Sequence, residues 1–421
     1  MTARTVATWV LALFVFSIPY ENGVVLQGVG SVARLIGFAA IAVVVMSTYD
    51  RGMLRFRVPS LFLVVAVAYM VWSAMSVFWS IVPNVSLGEG ASLLQLVAMV
   101  WMIHQVAQTE RQRDLLAQAF VVGAYFTIVL ALSEFARATD TFRISAGINP
   151  NWFAIACAFG IPIAWGLALR AKHQAAFWLN ALYPAFAIVA VVLSASRGGL
   201  ITMLVALTII PLTLPRLGIG KRMAVVVAMG LFVVGSAMYA PRAFPGLEQN
   251  IVRLKETTAE LDGGTFTGRT TIWAAGMDAF WSSPLVGVGA GSFRYAVEER
   301  LGLRRAAHNA YLSVAVASGL IGLLLFLSLI ATATLGVLMT RARRLELLVL
   351  IATLFVGMIP ANLEGTKSVW FLLSWIAATR PLLLTPLEAS ARSRSPMHVS
   401  TPGPLAHALP RPQRHDLAEE T

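Results

Sequence analysis

The chain is a succession of long apolar runs separated by short polar turns, with one polar stretch long enough to break that rhythm. A helix needs about 20 apolar residues to cross the hydrocarbon core. Runs of that order lie near 5–20, 29–48, 59–80, 90–107, 115–134 and 150–169, and six more near 176–194, 198–214, 221–240, 309–333, 345–360 and 368–384. The pattern predicts an all-α polytopic membrane protein with about 12 transmembrane helices. The first run has only Arg4 before it and no small-residue cleavage site after it, so it is expected to be retained as a span. The polar stretch, 241–307, falls between the ninth and tenth runs.

Composition agrees with the pattern. Of 421 residues, 58% are hydrophobic and 12% charged, and the mean hydropathy is +0.75. A soluble domain must cover its surface with polar groups and does not reach such values. Basic residues then set the orientation, because Lys and Arg resist translocation. They gather in alternate loops: Arg51, Arg55 and Arg57; Arg111 and Arg113; Arg170 and Lys172; Arg216, Lys221 and Arg222; Arg341, Arg343 and Arg344. These loops are expected in the cytoplasm. The intervening loops carry Glu21, Glu89, Arg137, Asp140, Arg143 and Lys367, and the 241–307 stretch alternates onto that outer side. An even number of spans puts both termini in the cytoplasm. The net charge of +12 mostly reflects this loop bias and lends no support to nucleic-acid binding. Cys157 is the single cysteine, which excludes an intrachain disulfide and a thiolate metal cluster. From Leu387 the chain turns to Ser, Pro, Arg, His and Ala without periodicity, the composition of a disordered tail. The expected organisation is a membrane domain, 1–386, with an extracytoplasmic insert, 241–307, and a cytoplasmic tail, 387–421.

The insert holds the candidate chemistry. After Gly263-Gly264, residues 269–281 read as a helix with Trp273, Met277 and Phe280 on one face and Arg269 at its amino end. Such a helix suits the membrane interface, with Arg269 near lipid phosphates; equally, it could only cap the spans and leave Arg269 solvated. The glycines at 287, 289 and 291 do not make a nucleotide loop, since no strand precedes them and no Lys closes them. They suit a turn whose backbone approaches another surface. His308 stands just before Asn309, a good helix cap, and the long run after it. Helix dipole, partial burial and the neighbouring Arg304 and Arg305 all favour a neutral imidazole able to accept a proton. The plainer alternative is an interfacial His bonded to a loop carbonyl. Arg197 sits in a tight reversal between two apolar runs, where a charge calls for an anionic partner, a watery cavity or a reach to the headgroups. Arg143 is a second candidate of the same kind on the same side, and the role of Arg34 is open.

Four motifs then occur in order: Ser194-Ala-Ser-Arg-Gly-Gly199, Gly268-Arg-Thr-Thr-Ile-Trp273, Pro284-Leu-Val-Gly-Val-Gly-Ala-Gly-Ser-Phe293 and His308-Asn-Ala-Tyr-Leu312. Together they resemble the O-antigen ligase and polymerase superfamily, multi-span bacterial glycosyltransferases. The resemblance is strong from Arg143 to Leu325 and, over the first five runs, limited to hydropathy. It implies a C-type glycosyltransferase architecture in the bacterial inner membrane, an undecaprenyl-diphosphate-linked glycan as donor and an active site at the periplasmic face. In the ligases of this group the acceptor is lipid A-core. Carried over by motif, Arg197 and Arg269 are implied to hold the diphosphate and His308 to be the base that deprotonates the acceptor hydroxyl; Arg143 is added as a further diphosphate candidate. Guanidinium forks suit a leaving diphosphate, and a His base suits direct, inverting attack. No cofactor is implied. Glu21, Glu89 and Asp140 occur singly rather than as an Asp-x-Asp pair, so arginines are expected to replace a metal, unless carboxylates of separate loops meet in space. The rival readings are an O-antigen polymerase, a protein O-oligosaccharyltransferase and, outside enzymes, a lipid-linked glycan transporter. Polar residues gathered at the outer edge rather than along the spans favour an enzyme over a transporter.

Overall fold

Each apolar run contains a helix in the computed structural model, which describes residues 2–21, 25–26, 30–50, 53–137, 144–214, 218–243, 268–339 and 343–379. The expected tail and the first half of the insert, 244–267, lie outside the described residues. The amino-terminal half holds α1 (Ala3–Ser17), α2 (Val32–Ser47), α3 (Leu61–Met75), α4 (Pro83–Val106), α5 (Glu110–Arg137) and α6 (Pro150–Leu169). Next come α7 (Gln174–Ala181), α8 (Tyr183–Leu193), α9 (Arg197–Leu207), α10 (Ile209–Leu212) and α11 (Ile219–Ala243). The remainder forms α12 (Arg269–Ser282), α13 (Phe293–Leu301), α14 (Ala310–Leu338), α15 (Arg344–Met358) and α16 (Lys367–Thr379). Two antiparallel hairpins flank α2: β1 (Val25–Leu26) with β2 (Gly30–Ser31), and β3 (Tyr49–Asp50) with β4 (Met53–Leu54).

Polar residues at the edges of the apolar runs start these helices. The side chains of Ser31, Ser60, Ser196 and Asn309 each accept a main-chain N–H of the first turn of α2, α3, α9 and α14, satisfying donors that a helix start leaves open. Among the described residues, seven helical stretches are long and apolar enough to cross a membrane: 61–78, α4, 110–133, α6, 174–193, 219–236 and α14. The other predicted spans form shorter helices, α1, α2, α9–α10, α15 and α16. Burial differs sharply between them. Every residue from Val369 to Ala377 of α16 is buried, with Phe371 stacked on Phe120 of α5 at 5.4 Å. None of 219–236 is buried; Val225, Met229 and Val233 of α11 lean on the core, and much of its remaining apolar surface is exposed, as suits a helix facing lipid.

The helix α14 is not continuous. Gly319 has φ 67° and ψ −171°, and the ladder breaks there. The glycine turn at 284–291 repairs the break: Val288 and Gly289 donate their N–H groups to Val316 and Ala317 carbonyls at 3.0 and 2.9 Å, and Leu320 and Ile321 donate to Pro284 and Leu285 at 2.8 and 3.3 Å. A side chain at Gly319 would collide with the Leu285 carbonyl, 2.2 Å from the position of its Cβ. The expected backbone approach of this turn is therefore to α14, as broken helices in membranes require.

Candidate active site

A cavity of about 510 Å³ opens where α1 ends and α2, α6 and α14 begin. Its wall includes Arg34 of α2, Glu89 of α4, Arg294 of α13, the 306–308 segment and the polar turn 362–368 between α15 and α16. His308 is on this wall. Its φ of 48° lies in the left-handed region, which costs a non-glycine residue about 1–2 kcal/mol. Contacts on both sides hold it there. The Asn362 side-chain oxygen accepts the His308 N–H at 2.6 Å, and the Trp273 indole donates to the Ala307 carbonyl at 2.8 Å. Asn309 caps α14 by accepting the Leu312 N–H at 3.1 Å.

Burial first, and then the positive charge of Arg269, lower the pKa of His308 below the ordinary imidazole value. The ring is thereby held neutral and proton-accepting at physiological pH. Arg304, expected to contribute, is engaged elsewhere, donating to Glu298 at 2.7 Å and lying over the Tyr295 ring at 4.8 Å. Arg269 starts α12, as expected, but the anticipated Trp273–Met277–Phe280 stripe is divided. Met277 is exposed, the Trp273 indole is spent on Ala307, and the face packed inward is Ala275, Gly276 and Ala279. Small residues win that face because they let α12 approach α14 closely.

Arg197 is the first residue of α9, behind the Ser196 cap, and does not line the cavity. It stands at the same end of the bundle. A Cβ on Gly198 would meet Pro360 at 2.5 Å, so the α9 start abuts the turn that carries Asn362. Arg143 falls outside the described residues, but the next residue, Ile144, donates its N–H to Leu193 at 3.4 Å, beside the Ser194–Arg197 turn. Arg34, left open by the sequence, lines the cavity.

The 362–368 turn is the part of the site that sequence reasoning missed. Glu364 faces the cavity, and burial pushes its carboxyl up to about 7. Its Oε1 accepts from the Asn362 side-chain amide at 3.2 Å, so one carboxyl orients the amide that holds the His308 backbone. Lys367 pairs with Glu21 at the rim, and Ser31 Oγ donates to the same Glu21 at 3.4 Å. Glu21, Glu89 and Glu364, from separate segments, thus share one cavity, although among the described residues no three His, Cys, Asp or Glu side chains gather as metal ligands. The available signal was the group Asn362, Glu364, Thr366 and Lys367 between two apolar runs.

The region carrying Arg197, Arg269 and His308 also matches a family model. Residues 182–327 match the model described as O-antigen ligase. Over 288 residues the chain is 26% identical to the exopolysaccharide production protein ExoQ of Rhizobium meliloti, a match covering 64% of this chain and 64% of that protein. The matched segment contributes the glycine turn, the broken helix, Arg197, Arg269 and His308. Arg34, Glu89, Asn362 and Glu364 come from outside it, so the cavity is completed by parts of the chain that the family model does not reach.

Proposed function

We propose that the chain is an O-antigen ligase, a glycosyltransferase of the C-type architecture with about 12 spans in the bacterial inner membrane. It transfers glycan from undecaprenyl diphosphate to lipid A-core at the periplasmic face. The observation that carries this reading is a half-buried His308, kept neutral beside Arg269, on the wall of a 510 Å³ cavity. An imidazole nitrogen of His308 takes the proton of an acceptor hydroxyl as that oxygen forms a bond to the anomeric carbon. The bond from that carbon to phosphate breaks on the opposite face, its electron pair stays with the diphosphate, and the configuration inverts. Arg197, Arg269 and Arg143 stabilise the charge that develops on the leaving diphosphate, in the role a metal ion plays elsewhere. The insert, 241–307, lies on the periplasmic side and both termini lie in the cytoplasm.

Transfer by purified protein from an undecaprenyl-diphosphate glycan to lipid A-core, with EDTA present, tests the whole reading. Glycan on lipid A-core supports the ligase, and loss of transfer in EDTA that returns with a divalent ion removes the metal-free mechanism. A second reading, extension of one lipid-linked glycan by another, draws on the likeness to an exopolysaccharide production protein, which runs over 288 residues. Elongation of the donor without lipid A-core would favour it.

A further inference from the structure

A second cavity, of about 500 Å³, lies at the opposite ends of the same helices. In α1 the first cavity meets the segment just past the helix, at Ile18, and the second meets Arg4 and Ala7; in α2 they meet Arg34 and Ser47. In α4 they meet Glu89 and Gln105, positions separated by about 24 Å of helical rise. Arg4, Arg55 and Arg57 line the second cavity together with Gln105, Gln108 and Gln112. Among the described lining residues there is no carboxylate.

Arg57 is fixed in place. Its N–H donates to the Gln105 side-chain oxygen at 3.1 Å, and its guanidinium donates to the His104 carbonyl. The His104 ring in turn bonds the Val58 carbonyl at 2.9 Å. Burial lowers the Arg57 pKa first and the charge of Arg4 lowers it further, and both guanidiniums belong to residues lining the one cavity. Like charges so placed are relieved by an anion. The surroundings narrow its chemistry. Tyr49, Met53, Leu54 and Phe56 beside these arginines are more than half exposed or at that limit, at 58%, 60%, 50% and 53%, and Phe56 sets its edge against Trp101 at 5.8 Å. A cationic cup rimmed by exposed apolar and aromatic side chains suits a ligand with a phosphate at one end and hydrocarbon at the other.

We infer that this cavity binds the phosphodiester headgroup of an anionic phospholipid, whose acyl chains lie against Phe56 and the β3–β4 hairpin. The site is independent of glycan transfer and is tested without it. The full chain, delipidated in detergent, is titrated with phosphatidylglycerol, with phosphatidylcholine and with inorganic phosphate, following bound lipid by native mass spectrometry and the melting temperature. Phosphatidylglycerol should bind saturably and raise the melting temperature, and phosphatidylcholine should not. Arg4→Gln, an exposed change in the first turn of α1, should weaken phosphatidylglycerol binding about tenfold while melting like the parent in phosphatidylcholine; Arg4→Lys should retain most of the binding. Equal stabilisation by phosphatidylcholine would overturn the assignment. So would an equal shift with inorganic phosphate alone, or undiminished phosphatidylglycerol binding in both Arg4→Gln and Arg55→Gln.

Discussion

Where α5, α6 and α15 converge, charged side chains are spent on one another: Arg170 reaches Glu346 at 2.5 Å and Asp114 at 3.5 Å, and Arg343 reaches Asp114 at 2.9 Å. Around His308 the same residue types are arranged about a void of 510 Å³, with Arg34, Arg294, Glu89 and Glu364 on its wall. Composition does not separate these regions, since both read as arginines and acids at the edges of apolar runs. The difference lies in geometry. A closed network fixes how helices sit, because losing one partner strands a buried charge. Charge spread round a cavity leaves room for a ligand's own charge to complete the set.

The most severe way to break the comparison is His308→Ala. Removing a general base should lower transfer about 10²- to 10⁴-fold with donor binding retained; normal turnover by the purified variant would remove the base assignment. Arg269→Ala should lower transfer about 10²- to 10³-fold and weaken donor binding, and retained donor affinity would count against its role. The variant also sharpens the electrostatics. Burial, and then Arg269, lower the His308 pKa, so in the parent activity falls only as pH drops through that lowered value. Without Arg269 that acid limb should move to higher pH.

At the paired end the response should be structural. Arg170→Ala strands the Glu346 carboxylate, 7% exposed, and should cost about 4 kcal/mol, read as a lower melting temperature in detergent. Replacing both partners by apolar residues should recover most of it, which a ligand-binding pair would not do for transfer. Smallest is Glu364→Gln. The Glu364 carboxyl, at about 7 in the fold against an ordinary value of 4.5, ionises more readily in the unfolded chain. Its burden on stability is absent below pH 4.5, grows as pH rises towards 7 and is constant above. The variant should therefore gain up to about 3 kcal/mol at pH 8 and little at pH 4.5, and equal melting shifts at both values would reject the buried-carboxyl account.

The helices were legible because a membrane-facing sequence must be apolar over whole turns. Residues 150–169 were bounded correctly from both sides: Pro150 follows the Asn149 cap, and the apolar run ends at Leu169. The helices α4 and α5 begin earlier than their apolar runs, since the turns at Pro83–Glu89 and Glu110–Asp114 are helical but polar. The break at Gly319 left no trace in hydropathy, because its ladder is repaired by a segment some thirty residues earlier. The motifs led to His308, which lines the cavity, and to Arg197 and Arg269, which are not among its lining residues. Asn362 and Glu364 could not be read, for their part depends on meeting His308, 54 residues away, in a turn that by itself resembles any short connection.

The mended helix divides the cavity into a fixed jaw and an adjustable one. The turn at 284–291 is stitched to α14 by main-chain bonds on both sides of Gly319, and to the α3–α4 corner through Ala290 N–H to Ser76 Oγ at 2.9 Å and Ser86 Oγ to the Ala290 carbonyl at 2.9 Å. Widening the site there would unpick several backbone bonds at once. On the side with Arg34, Glu21 and Lys367, side-chain bonds tie the separate segments together, Lys367 and Ser31 both reaching Glu21. Room for a bulkier sugar should therefore be made on that side, where exchanging one side chain reshapes the wall and leaves the backbone where it was.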